Sequence, residues 1–242
     1  MNIVFKKSAD ISIEERNEMY RLFSSSHVLE LQDYLDSFEL FGEYALGYHK
    51  QEIVALAALN TQLVKLKDSK IVSIYVGSSC VNANYRNQGF IPKISIWATL
   101  NAFKKYPLYK KYIWCLAATY KPYMFYSKVL KEGYPRFNQE DSESVIEIRD
   151  ALISNCPANF GQDGWKNKHP VVWRLKDKSC EVNSGDLGDP DISFYHSYDI
   201  QPHYGLFTFA PASMENVLYY LKNSTIKNIK GITQKVPLFG GR

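Results

Sequence analysis

The segment Ser79-Cys80-Val81-Asn82-Ala83-Asn84-Tyr85-Arg86-Asn87-Gln88-Gly89-Phe90-Ile91-Pro92 joins a long apolar stretch to a second one with helical spacing. A strand that enters a polar turn and opens a helix leaves the first N–H groups of that helix unpaired and pointing at one spot. With the helix dipole behind them, such amides bind an anion and suit phosphate. Gly89 lets the backbone approach closely. Arg86 adds a fixed charge at the mouth.

Other chemistries find less support in the residue spacing. The five His are His27, His49, His169, His196 and His203, and none pairs at metal-ligand spacing, so no metal site is expected. No G-x-S-x-G elbow, Walker loop or dinucleotide fingerprint occurs. Cys80, Cys115, Cys156 and Cys180 are widely spaced and read as thiols in a reducing compartment. Lys104 to Tyr112 interleaves Lys with aromatic residues. That composition can bind nucleic acid, but it equally describes a solvated helix end, and nucleic acid is not the expected partner.

The elements around the turn follow from periodicity. A strand is expected at 2–6, then a helix opened by a capping box, Ser12 with Glu15, and carrying Met19, Tyr20, Leu22 and Phe23. A second helix is expected within 27–41. Strands are expected at 44–48, 53–59 and 71–81, a helix at about 91–103, a strand at 112–118, and a helix from Pro122 to about Glu132. Adjacent early strands imply hairpins, and the later strand–helix–strand unit implies a parallel pair. The result is a mixed α/β fold whose sheet has helices on both faces. Beyond residue 138, a helix at 143–154, loop at 157–170, strands at 171–176, 192–198 and 205–209, and a helix capped by Ser213 are expected. In that last helix Met214, Val217, Leu218 and Leu221 form the expected apolar face, and the tail from Gly231 reads as frayed.

The turn resembles motif A of the GNAT superfamily of acyl-CoA N-acyltransferases, written R/Q-x-x-G-x-G/A. Arg86 and Gly89 match, while Ile91 stands where the family has Gly or Ala. The stretch Val81 to Arg86 looks like the family's strand exit, with Ala83 in place of Pro. Thr119 and Tyr126 echo a further pair, an Asn at a strand end and a Tyr seven residues on, with Thr119 replacing the Asn. The resemblance covers residues 1–137 and implies a mostly antiparallel central sheet. It implies acetyl-CoA or another acyl-CoA as co-substrate, and an amine on a small molecule or protein as acceptor. Arg86, Asn87, Gln88, Gly89, Phe90 and Ile91 would hold the pyrophosphate, with Thr119 nearby. Cys80 and Val81 would offer backbone groups to the pantetheine arm, and Tyr126 would protonate the leaving thiolate. The family's base is a Glu on the strand before the turn, but residues 71–81 contain no carboxylate. Ser73 and Tyr75 are then the polar candidates, acting through water, with Glu39 and Glu43 in reserve. An inactive, ligand-sensing member of the family is the alternative.

Charge distribution agrees with an anionic ligand. Residues 86–136 carry ten Lys and Arg against a single carboxylate, Glu132, in a chain whose net charge is +4. The acidic stretch 177–199 reads as a soluble loop or as an attractor for a cationic amine. No membrane-length apolar run is present, and a cytoplasmic protein is expected. Residues 138–242 are expected to form a C-terminal α/β extension on the 1–137 core, on the acceptor side or at a homodimer contact.

Overall fold

The structure, a computed structural model, describes residues 1–156, 160–161, 163–168, 174–176 and 181–233. The chain opens with strand β1 (Asn2–Lys7), helix α1 (Ile13–Ser26), a short β2 (His27–Val28) and helix α2 (Leu31–Phe38). Strands β3 (Glu43–His49), β4 (Glu52–Leu66) and β5 (Ser69–Val81) form a meander. Helix α3 (Phe90–Lys105) crosses over to β6 (Lys110–Ala117). Then come α4 (Tyr120–Met124), α5 (Glu143–Ser154), β7 (Lys166–Lys168), β8 (Arg174–Leu175), α6 (Pro190–Ser197), β9 (Tyr204–Pro211) and α7 (Met214–Thr233).

Among the described residues, seven strands make one sheet in the order β1-β3-β4-β5-β6-β9-β7. Within it the β5–β6 pair is parallel, joined by the crossover helix α3, and the other pairs are antiparallel. Strands β7 and β9 extend the sheet past β6, so residues beyond 138 complete the same layer. Strand β2 pairs with β8 in a separate ribbon.

One face of the sheet buries Met19, Leu22 and Phe23 of α1, Tyr34 and Phe38 of α2, and Leu152 and Ile153 of α5. The other buries Ile94, Ala98 and Ala102 of α3, Tyr123 of α4 and Tyr195 of α6. Large side chains such as Trp114, Phe41 and Phe207 are fully buried, each stabilising by about 1.5–3 kcal/mol. The α1 capping box forms as expected. Glu15 N donates to Ser12 Oγ at 3.3 Å. In return, Ser12 N donates to Glu15 Oε2 at 3.2 Å. Ser142 caps α5, its Oγ accepting from Val145 N.

Several expectations are corrected. Residues 192–198 do not form a strand, since Asp189 caps α6 and Pro190 supplies its first residue. The loop expected at 157–170 contains β7, which pairs with β9, while 157–159, 162 and 169–170 lie outside the described residues. Of the strand expected at 171–176, only Arg174–Leu175 is described as strand. Strand β4 runs on past Leu59 to Leu66, because β5 offers it a partner along that whole length. Among the described side chains of α7, Asn216 and Val217 are buried, whereas Met214, Leu218 and Leu221 face outward. Asn216 turns inward because its amide donates to the Glu132 and Pro211 carbonyls. The tail expected to fray from Gly231 is helical to Thr233; 234–242 lie outside the described residues.

The helix expected from Pro122 to Glu132 starts earlier, at Tyr120, and changes at Phe125 into a π-helical turn ending at Val129. The wider turn brings the Tyr126 carbonyl against Gly133, where an added Cβ would collide with that oxygen. Gly133→Ala is therefore expected to destabilise the fold by about 1–3 kcal/mol through overpacking. A lower urea midpoint would report this, and an unchanged midpoint would contradict the close approach.

Candidate functional site

Strand β5 stays paired with β4 to its last residue, Val81, opposite Ala55. Its pairing with β6 stops at Tyr75 opposite Trp114. Strand β6 continues along β9 to Ala117 opposite Leu206. The two central strands therefore diverge after Tyr75 and Trp114, and the β5 edge from Val76 onward faces a gap. Strand β5 also carries one extra residue there: Leu56 pairs with Cys80 but Ala58 with Gly77. The bulge is absorbed at Ser78, whose φ of 44° is strained for a non-glycine residue. Bulges of this kind re-aim backbone groups beside functional sites.

A cavity of about 900 Å³ fills the gap and reaches both faces of the sheet. On the α3 side it is lined by Val76, Phe90, Cys115, Phe125 and Tyr126. On the α1 side it is lined by Phe23, Leu29, Tyr34, Phe41, Tyr44 and Tyr75. The turn 86–91 forms its rim. Gly89 caps α3 in the left-handed conformation at φ 75°, a geometry natural to glycine. Nearby Asn87 is left-handed too, at φ 63°. Pro92 has no N–H, so the Gly89, Phe90 and Ile91 amides are the donors that this helix start offers. Arg86 Nε donates to the Val81 carbonyl at 3.3 Å, which fixes the guanidinium beside the end of β5.

Of the residues that the sequence singled out, Tyr126, Tyr75, Cys80, Val81, Thr119 and all six of 86–91 line this one cavity. Ser73 does not: it is buried and accepts a hydrogen bond from Trp114 Nε1 at 2.8 Å, so its role as a base is withdrawn. Glu39 is exposed and paired with Arg16 at 3.0 Å, and neither it nor Glu43 lines the cavity. Tyr126 is buried in the π-helical turn, with its phenol beside the Cys115 thiol, which lies 3.3 Å from Thr208 Oγ1. Burial, reinforced by that thiol, raises the Tyr126 pKa well above the ordinary tyrosine value, and burial lifts Cys115 to about 11. Tyr75 is raised too, by burial, and its ring lies over Gly77 with the hydroxyl beside Ser78 at the bulge. All three groups hold their protons at neutral pH and act as donors.

Sequence reasoning missed His27 and Tyr34, which lie on the far side of the sheet gap from the turn. His27 ends α1, stacks on Phe23 at 4.0 Å, and contacts Ser26 Oγ at 2.8 Å. Ser26 Oγ lies 3.1 Å from the Cys80 thiol. The apolar surroundings of His27 gave no sequence signal, and no spacing rule marks Tyr34.

The basic run 104–112 does not reach the cavity. Lys104 and Lys105 end α3, at the opposite end of that helix from Gly89. Lys111 is buried, with Nζ donating to the Tyr109 carbonyl at 2.6 Å and lying over the Phe103 ring. In the acidic stretch, Asp189 and Asp191 pair with Lys128 outside the cavity, and Asp177 lies outside the described residues. Among the described residues no group of three or more His, Cys, Asp or Glu is placed to hold a metal ion, and no helix is long and apolar enough to cross a membrane.

Solved structures resembling part of this chain include an aminoglycoside 6'-N-acetyltransferase from Acinetobacter haemolyticus, 14% identical over 43% of this chain and 73% of the other, with a TM-score of 0.35. An acyl-CoA N-acyltransferase from Pseudomonas aeruginosa is 15% identical over 47% of this chain and 77% of its own, with a TM-score of 0.34. A GCN5-related N-acetyltransferase from Kribbella flavida is 15% identical over 52% of this chain and 32% of its own, with a TM-score of 0.38. No family model and no curated protein sequence matches the chain.

Burial lowers the His27 pKa from its ordinary 6.5 to about 4. Above pH 6.5 the ring is neutral in both folded and unfolded chains. As pH falls from there toward 4, only the unfolded chain takes up a proton, so stability is lost. Wild type is therefore expected to lose about 2–3 kcal/mol more than His27→Gln between about pH 7 and pH 4.5. Urea melts of both proteins at both pH values measure this, and equal losses would contradict the buried neutral ring.

Proposed function

We propose that this chain is an N-acyltransferase that moves an acetyl or longer acyl group from acyl-CoA to an amine. The observation that carries this reading is the cavity where β5 and β6 part, rimmed by the Gly89-capped start of α3. The residues present suit acyl-CoA. Three first-turn amides and Arg86 offer donors and charge for a pyrophosphate. The β5 backbone from Val76 to Val81, unpaired on its β6 side, can hydrogen-bond an amide-bearing arm laid in the gap, as a strand would. Ile91 in place of a small residue narrows the approach without removing an amide.

The reaction is direct transfer. The amine lone pair forms a bond to the thioester carbonyl carbon, the C–S bond breaks, the electron pair leaves on sulfur, and the nitrogen gives up one proton to water. Tyr126 is the proposed proton donor to that sulfur, since a phenol kept protonated by burial in the wall of the gap is suited to the task. Tyr75 and Ser78, at the bulge, are suited to positioning the reacting carbonyl. Residues 138–242 supply β9, the outer support of β6, and so hold the gap open from one side. An inactive, ligand-sensing protein of the same fold would bind acyl-CoA without turnover.

Calorimetric titration with acetyl-CoA is expected to show binding to the wild type and none to Gly89→Asp, whose carboxylate would repel phosphate at the turn. Tyr126→Phe is expected to bind normally but to lose roughly 10²-fold or more in kcat. No heat with wild type would remove the acyl-CoA reading. Binding without turnover would favour the ligand-sensing protein.

A further inference from the structure

The two halves of the cavity differ in chemistry. Among the described lining residues, the charged side chains are Arg86, in the turn, and Lys121, at the start of α4. The α1 half is aromatic, with Phe23, Tyr34, Phe41, Tyr44 and Tyr75, and none of the described lining residues is Asp or Glu. An alkylammonium entering that half would lose its water without gaining a counter-charge, which is strongly unfavourable. His27, the imidazole of the lining, lies beside Ser26 and is too weak a base to deprotonate such a cation.

One polar group in this half is left over. Tyr44 donates to the Phe38 carbonyl at 3.0 Å, and the Tyr75 hydroxyl lies beside Ser78 at the bulge. Among the described residues the buried Tyr34 hydroxyl has no hydrogen-bond partner, although the residue lines the cavity. A buried orphan hydroxyl is costly, because it gives up its water without replacement. An alkyl chain filling this half would leave that cost in place, whereas a ligand with a polar substituent removes it.

Resting on the acyl-CoA reading, we propose that the aromatic half receives the acceptor, and that the acceptor is an aromatic amine carrying a hydrogen-bonding ring substituent for Tyr34. Such an amine is uncharged at neutral pH because its lone pair is delocalised into the ring. It attacks without prior deprotonation. The N–C bond forms, the C–S bond breaks, sulfur takes a proton, and nitrogen gives up one, so the products are the anilide and the free thiol. The absence of a carboxylate on β5 then reflects the acceptor rather than a lost activity.

The test uses the full chain with acetyl-CoA and two isomeric amines, 4-methylaniline and benzylamine, which differ in being neutral and protonated at neutral pH. Thiol release is expected to be at least about tenfold faster with 4-methylaniline, given that one uncompensated charge is worth more than a factor of ten. Replacing the methyl group by hydroxyl, in 4-aminophenol, is expected to lower KM by about 2- to 10-fold in wild type, the value of one neutral hydrogen bond. Tyr34→Phe, which removes only an unpaired hydroxyl, is expected to fold and to abolish that advantage. Faster reaction with benzylamine, or an unchanged 4-aminophenol preference in Tyr34→Phe, overturns this inference while acetyl-CoA binding leaves the acyl-CoA reading intact. If neither isomer turns over, the two amines are titrated into acetyl-CoA-saturated protein; failure of 4-methylaniline to bind better than benzylamine overturns the inference. No heat with acetyl-CoA removes both readings.

Discussion

The early end of the β5–β6 pairing is the constraint on which the rest of this structure depends. In the middle of a sheet each strand ordinarily has both edges bonded, since a buried N–H or C=O without a partner is costly. Here β5 loses one neighbour after Tyr75 while keeping the other to Val81. Strand β6 keeps β9 to Ala117. Each arm of the gap is thus held along its outer edge, so the two strands can part without either coming loose. The arrangement makes β9, from a part of the chain with no recognisable motif, as necessary to the gap as β5 itself. Without it, β6 would be an edge strand beside an opening.

A gap through a sheet joins two faces that are otherwise sealed from each other, and here those faces differ in electrostatic character. The α3 start offers amides, Arg86 and a left-handed Gly89, all favouring negative charge. The opposite face offers rings stacked on rings, Phe41 on Tyr75 at 5.1 Å and Phe38 on Tyr44 at 4.5 Å. A ligand spanning both needs an anionic end and an uncharged end, with hydrogen-bonding groups between them for the β5 backbone. The π-helical turn fits this geometry, for it places Tyr126 in the wall of the gap against Cys115 instead of on a regular helix face.

Much of the scaffold was legible because it rests on local signals. The Ser12–Glu15 box, the Ser142 cap, the polar turn after β5 and the β–α–β crossover each have a residue pattern that dictates them. The failures share a different cause. Residues 192–198 alternate well enough for a strand, and only the cap-and-proline pair Asp189-Pro190 reveals the helix. Met214, Val217, Leu218 and Leu221 are expected on one helical face, yet of these Val217 is buried while the others face outward, and a buried position goes to Asn216, whose amide satisfies two carbonyls of other segments. Ser73 looked like a polar group on a catalytic strand, but it is spent on Trp114. The turn residues and Tyr126 could be picked out by spacing. Tyr34 and His27 could not, because what marks them is burial beside a gap that only the sheet creates.

The titration behaviour of the site narrows what it can do. Tyr126, Tyr75 and Cys115 are all pushed upward by burial and so remain protonated. His27 is pushed down to about 4 and so remains neutral. The described lining therefore contains proton donors and a weak acceptor but no strong base. A site of this kind can protonate a leaving group and cannot strip a cationic nucleophile. For acyl transfer that is a restriction on the nucleophile, not a bar to the reaction. A nucleophile that arrives uncharged becomes acidic only after it has attacked, when its proton is easily lost to water or to the departing thiolate. The same burial that keeps His27 a weak base thus favours a neutral nucleophile over a charged one.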